Sequence, residues 1–271
     1  MPKRKPDAAG WQCDFFERAR SPATAAKHLE LGLHFNAWLA RHVPEKQVRT
    51  VFDGFAGAGR FVAGEALPTP GSPLLLLKWA QARPEAGPLR FVFSEPNPLN
   101  LSRLRAAVAG FLGQPEGATL RLGAQSIALH GATFEHTAAA LLGQERVGPG
   151  ELFSFVDPYA YEGLDFATLA ALAARGDLVL HLASHALATK LMGTNGDGLR
   201  QGRRMGRLLG GALTWDALRA AAIGMTAPQV QALIAERVVA ALAAERPEVQ
   251  VRLHPLRDGK SHLVTAQHGG A

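Results

Sequence analysis

Val48-Arg49-Thr50-Val51-Phe52-Asp53-Gly54-Phe55-Ala56-Gly57-Ala58-Gly59-Arg60 is an apolar, β-branched and aromatic run that ends in an acid and passes into a glycine-rich turn. A continuous apolar run marks a parallel strand buried on both faces, and small residues after it let a ligand approach the backbone. The acid precedes the glycines, and that order selects the ligand. A phosphate cradle needs glycines followed by Lys and Ser or Thr, and neither follows Gly59. A dinucleotide site needs G-x-G-x-x-G with nothing negative at the pyrophosphate, and this turn fails on both counts. An acid here suits a cation, and S-adenosylmethionine carries a sulfonium and an ammonium. The alternative is a tight strand-to-helix turn with no ligand.

The 271 residues suffice for one substantial core with an insertion, so residues 1–271 are read as a single domain. Net charge is +6 with a pI near 9.9, which favours an anionic partner such as nucleic acid. Cys13 is the only cysteine, which excludes an intrachain disulfide and a thiolate zinc site. The basic start, Met1-Pro2-Lys3-Arg4-Lys5-Pro6, leads into no apolar segment, so no secretory signal is expected. No apolar run reaches the roughly 18 residues that cross a bilayer. The expectation is a cytoplasmic protein with no membrane partner.

Residues 1–20 form a basic arm, and Ser21-Pro22 starts a helix that places Leu29, Leu33, Trp38 and Leu39 near one face. Strands are expected at 48–53, 89–95, 119–122, 151–156 and 177–183, with helices between them, including one over 126–142. Between 187 and 246 the alternation stops: a Gly- and Arg-rich stretch precedes two helices capped near Thr214 and Thr226. Val249–Leu253 and Ser261–Ala266 then read as an antiparallel hairpin. The sum is a Rossmann-like α/β fold with a seven-stranded, mostly parallel sheet, a helical insertion and a C-terminal antiparallel hairpin. In such sheets ligands bind beyond the carboxyl ends of the strands, where strand order reverses. Asp53, Glu95 and Asp157 all fall at expected strand ends and so share one rim.

Each of these acids has a chemical use. Glu95 can accept both ribose hydroxyls of an adenosine, a use shared by nicotinamide and S-adenosylmethionine enzymes. Ser72, in Gly71-Ser72-Pro73, starts a helix and presents a hydroxyl to a carboxylate at that helix's N-terminus. Asp157-Pro158-Tyr159 offers an acceptor side chain, a free carbonyl fixed by proline and an aromatic that stacks a base. Together these parts hold the two N–H groups of an exocyclic amine. Lys190, Arg200, Arg203, Arg204 and Arg207 crowd one stretch opposed only by Asp197, which suits a phosphate backbone or a solvated loop. His181 and His185 lie across a strand end, where i,i+4 spacing does not pair side chains, so no metal site is expected.

The motifs together resemble a known group. The D-x-F-x-G-x-G order is the form this turn takes in many methyltransferases. Lys27, Asp53 to Gly59, Gly64-Glu65, Gly71-Ser72-Pro73, Glu95 and Asp157-Pro158-Tyr159 resemble, in order, the three-Cys-motif partner proteins, a bacterial family with a methyltransferase-like fold. A more distant likeness is to the large-subunit (23S) ribosomal RNA adenine-N6 methyltransferases. They carry Gly-Ser-Pro before a helix, an acid ending the next strand, and Asp-Pro-Pro-Tyr at the fourth. These resemblances imply S-adenosylmethionine as cofactor, held by Asp53, Phe55, Ala56, Gly57, Gly59, Ser72, Glu95 and Asn97, with Asp157, Pro158 and Tyr159 at the target amine. Two departures matter. The second proline is missing, and Gly123-Ala124 stands where those enzymes have Gly-Asp, so that either Gln125 meets the adenine or the contact is absent. The expected function is methyl transfer to an exocyclic amine of a nucleic-acid base. The alternatives are an inactive methyltransferase-fold partner, binding a nucleotide, nucleic acid or three-Cys-motif companion, and a small-molecule methyltransferase.

Overall fold

The computed structural model describes residues 20–41, 47–61, 68–116, 119–123, 125–144, 148, 150–158, 164–193, 206–209 and 212–268. Their order is α1 (Pro22–Leu39), β1 (Arg49–Asp53), β2 (Arg60–Phe61), β3 (Thr69–Pro70), α2 (Ser72–Gln81), β4 (Leu89–Ser94) and α3 (Pro98–Leu112). Next come β5 (Arg121–Leu122), β6 (Gln125–His130), α4 (Phe134–Leu142), β7 (Leu152–Val156), α5 (Phe166–Arg175) and β8 (Gly176–Leu182). The chain continues with α6 (Ser184–Met192), α7 (Ala212–Ala221), α8 (Ala227–Glu245), β9 (Val249–Pro255) and β10 (His262–His268).

The main sheet runs β5-β6-β4-β1-β7-β8-β10-β9. Strands β6, β4, β1, β7 and β8 are parallel, and the hairpin β9–β10 joins antiparallel to β8. This is the expected Rossmann-like α/β arrangement, with eight strands where seven were read. The additional strand comes from the segment expected to be the third parallel strand. Arg121–Leu122 instead forms a short antiparallel edge, and Gln125–His130 takes the parallel place beside β4. A helix over 126–142 is therefore corrected to a strand, a break and a helix. The Thr133 hydroxyl accepts from the His136 N–H, which caps α4 just before Phe134.

Alternate residues of the central strands feed two cores. Val51, Phe91, Phe93, Phe153 and Phe155 pack against α1, α2 and α3. Phe52, Val92, Leu152 and Val156 face α4, α5 and the later helices, whose Leu187, Trp215, Val230, Ile234 and Val238 share that core. So the stretch read as an insertion covers one face of the sheet. Thr226 opens α8 as expected, its N–H donating to Gln229 Oε1 at 2.8 Å. Thr214 lies inside α7 and caps nothing. Among the described residues no helix is long and apolar enough to cross a membrane.

Helix α1 buries Trp38 and Leu39 as expected but departs from the expected face at Leu29 and Leu33. Leu29 and Leu33 are about 60 % exposed, while Lys27, His28, Leu31, Phe35 and Trp38 are buried. Two i,i+4 stripes compete on this helix, and the one carrying both aromatics buries more area. Its carboxyl end is fixed by Arg49, which is 1 % exposed. That guanidinium donates to the carbonyls of Trp38, Leu39 and Ala86 at 2.8, 3.2 and 2.6 Å and lies 4.4 Å from the Trp38 ring centroid. Burial, then Arg41, lowers its pKa to about 10. Replacing Arg49 with Met strands three carbonyls. R49M is expected to lose about 3 kcal/mol or more in denaturant unfolding, whereas a loss under about 1 kcal/mol would assign the clamp little energy.

Candidate functional site

The sheet defines the site by its topology. From β1 the chain winds outward through β4 and β6, then returns to add β7 on the other side of β1. Strand order reverses there, so a crevice opens beyond the carboxyl ends of β1 and β7. Asp53 ends β1 in register with Phe93 and Phe155, and Glu95 and Asp157 each follow two residues beyond those partners. The three acids therefore share one rim, with Asp53 two residues deeper than Glu95 and Asp157.

Asp53 is wholly buried. Its Oδ1 accepts from the Phe55 N–H at 3.1 Å, while Oδ2 has no hydrogen-bond partner among the described residues. Burial pushes its pKa up to about 7, held from going higher by the neighbouring Ser72 hydroxyl and the Phe55 N–H. Gly57 and Gly59 adopt φ of 59° and 77°, which favour glycine. The Gly71 N–H donates to the Gly59 carbonyl at 2.8 Å, and a Cβ on Gly71 would stand 3.0 Å from that oxygen. Gly71, not Ser72, is the N-cap of α2, which leaves the buried Ser72 hydroxyl facing Asp53. Phe55 stacks on Phe134 with centroids 5.3 Å apart, and the Ala56 N–H donates to the Ser94 carbonyl.

Glu95 is 6 % exposed and accepts from the Asn97 N–H at 2.8 Å. Burial raises its pKa; the N–H groups of Asn97 and Gly57 and the Asn100 side chain oppose the rise. Asn97 caps α3, its Oδ1 accepting from Leu99 and Asn100. Gln125 is a correction. It opens β6 at the amino end of the sheet, beside Gly87 and Pro88, and cannot reach the rim. The segment at the rim after β6 is instead Gly131-Ala132-Thr133. The expectation failed because the strand was assigned to 119–122, which put its carboxyl end too early.

Asp157 is held by two side chains from distant elements. Lys27 from α1 donates to its Oδ2, and His181 Nδ1 from β8 lies 2.7 Å from its Oδ1. The histidine contact lacks the geometry of an aligned hydrogen bond. Burial pushes the carboxyl up, but Lys27 and then His181 overcome it and hold it well below the usual carboxylate range. Next to this cluster a cleft of about 200 Å³ is lined by Lys27, His181, His185, Asp258 and Lys260 among others. His185 lines the same cleft as His181 but through a different partner, Gln231 at 3.2 Å. Among the described residues no group of three or more His, Cys, Asp or Glu side chains could hold a metal ion.

Lys27 and His181 are the functional candidates that pattern reading passed over. The signal was there: a lysine on the buried stripe of α1, and a histidine inside the apolar run Leu178-Val179-Leu180-His181-Leu182. Each needs a partner, because a polar group on a core face is costly without one. Tyr159 lies outside the described residues, as do Arg200, Arg203, Arg204 and Asp197. Lys190 and Arg207 are exposed, and Lys190 continues the exposed edge of α6 away from the cleft, after His185, Ala186 and Thr189.

No family model and no curated protein matches the chain. Solved structures do. A conserved hypothetical protein from Streptococcus pyogenes is 13% identical over 88% of this chain and 95% of its own, with a TM-score of 0.39. A SAM-dependent methyltransferase from Thiobacillus denitrificans, in complex with S-adenosyl-L-homocysteine, is 14% identical over 93% and 94%, with a TM-score of 0.38. A geranyl diphosphate methyltransferase, in complex with GPP and sinefungin, is 11% identical over 89% and 78%, with a TM-score of 0.35. Likeness at this level assigns no activity to this chain, whose fold stands on its own strand order.

The Lys27–Asp157 pair has a measurable weight. A depressed carboxyl contributes stability above its unfolded pKa of about 4, and that contribution fades as pH falls below it. Lys27→Met removes the lysine counter-charge from Asp157, with an expected loss of about 3 kcal/mol at pH 7. The K27M/D157N double variant should recover most of that loss. Urea unfolding at pH 7 and pH 3.5 reads both effects, and additive losses would mean the pair is energetically idle.

Proposed function

We propose that the chain is an S-adenosylmethionine-dependent methyltransferase whose acceptor is an exocyclic amine of a nucleic-acid base. One observation carries the cofactor: a wholly buried carboxylate at the switch point with one oxygen unpartnered among the described residues. A buried acceptor in that position calls for a donor the described residues do not supply. A ligand ammonium is such a donor. The residues present therefore fit the methionine end of the cofactor at Asp53 and the glycine turn, with its ribose at Glu95 and Phe55, Ala56, Ser72 and Asn97 around it. When bound, the cofactor supplies an electrophilic methyl on a sulfonium leaving group.

The acceptor reading is supported by the cleft beside Asp157. Its walls carry Lys27, Lys260, His181 and His185 against Asp258, whose carboxylate is used within its own turn by Ser261 and the Lys260 N–H. A polyanion fits such a mouth. Pro158 keeps a carbonyl available to an amine, and Tyr159 supplies the aromatic. The Asp157 carboxylate enters this scheme already charge-paired and is shared with the amine instead of waiting for it.

Titration calorimetry with S-adenosylmethionine tests the first half. Affinity should weaken about 10- to 100-fold in Glu95→Ala, which loses a charge-assisted contact. It should also rise with pH up to about 7, because pairing with an ammonium drives a proton off Asp53. That slope should vanish in Asp53→Asn. Tritiated methyl transfer onto total RNA and DNA tests the second half: incorporation is expected, reduced by charge reversal at Lys190 and Arg207. Cofactor binding without transfer would instead mark a scaffold serving a nucleic acid or a three-Cys-motif companion protein.

A further inference from the structure

We infer that His181 is the proton acceptor of the transfer step, held by Asp157 in the tautomer that leaves Nε2 for the cleft. The inference deepens the reading above and takes its chemistry from it. His181 interrupts a strand whose neighbours Leu180 and Leu182 are fully buried, so packing does not explain it. Its Nδ1 lies 2.7 Å from Asp157 Oδ1, a distance that two lone pairs do not tolerate. Nδ1 therefore carries a hydrogen, and in the neutral ring Nε2 is left as the base. The ring lines the cleft in which the acceptor is proposed to sit. Imperfect alignment of such contacts is common before the acceptor is bound.

The surrounding charges fit this division of labour. Lys27 from α1 pairs with the other oxygen of Asp157, which leaves that carboxylate a poor proton acceptor but a good counter-charge for an imidazolium. Asp258 from the β9–β10 turn adds a second negative group toward His181. His185 from α6 and Lys260 complete the titratable lining. Methylating a neutral amine makes a cationic nitrogen that must shed a proton. The nitrogen lone pair forms the C–N bond as the methyl carbon–sulfur bond breaks, S-adenosylhomocysteine departs as a neutral thioether, and the surplus N–H proton passes to Nε2. Asp157 is the positioning residue and His181 the catalytic one.

Two measurements test it. Long-range ¹H–¹⁵N NMR of the histidine-labelled protein should find His181 in the Nδ1–H tautomer, shifting toward Nε2–H in Asp157→Asn; an Nε2–H tautomer in the wild-type chain overturns the inference. In methyl transfer to RNA or DNA, His181→Asn should lower kcat about 10²- to 10⁴-fold, with S-adenosylhomocysteine affinity within twofold of wild type. The acid limb of the pH–rate profile should disappear with it. His181→Gln, checked for a native melting temperature, guards against a folding defect. A variant rate within threefold of wild type overturns this inference alone, whereas a wild-type chain that binds S-adenosylhomocysteine but transfers nothing overturns the methyltransferase reading with it.

Discussion

The Lys27–Asp157 ion pair is the contact on which the rim depends. It joins the first turns of α1 to the residue that follows β7, 130 positions later in the chain. Neither partner is open to water in the ordinary way, with side chains 9 % and 22 % exposed. Two charges brought this far out of solvent persist only when each compensates the other. Lys27 also lines the cleft beside the pair, and it gives Asp53 a cation nearby that opposes the rise of its carboxyl pKa. Without it, two acids at the switch point would repel, and the neighbouring Asp53 would be more strongly driven to hold its proton.

This distribution of charge divides the carboxylates by environment. Asp53 is buried with one backbone donor and the Ser72 hydroxyl against it, and it titrates near neutrality. Asp157 has a lysine and a histidine and stays ionised. Glu95 is raised by burial too, opposed by backbone N–H groups at the start of α3 and in the glycine turn. Three residues of one chemical class thus reach three protonation behaviours from burial and partners alone. A ligand that carries a positive charge at one end and a sugar at the other meets a graded surface along the rim.

Much of this was legible before any coordinates. The strand-then-acid pattern at Val51–Asp53, Phe93–Glu95 and Phe155–Asp157 located the rim, because a parallel strand must be apolar on both faces and can turn polar only where it ends. The hairpin was legible too, from alternation about an Asp-Gly turn. What failed was local competition. On α1, two apolar stripes of equal spacing overlap, and only tertiary packing chooses the one with Leu31 and Phe35 over the one with Leu29 and Leu33. Around residues 119–142, the run Ser126–His130 is short enough to fit helix or strand. Misplacing it shifted the expected adenine contact to Gln125, at the far end of the sheet. Pair contacts such as Lys27 with Asp157 were out of reach in principle, since nothing in a lone lysine names its partner across 130 residues.

The clamp at the other end of α1 gives the helix a further meaning. Arg49 grips its last carbonyls, and Arg41, just beyond, meets Asp177 at the start of β8 through two bonds of 2.8 and 2.7 Å. Fixed by charge at both extremities, α1 behaves as a brace spanning the sheet from foot to lip. A shortened chain beginning at β1 would bare the seats of Phe35 and Trp38 and forfeit the lysine at the lip in the same cut. The acidic rim and the closed core are therefore inseparable properties of the same eighteen-residue segment, and selection on either one constrains the other.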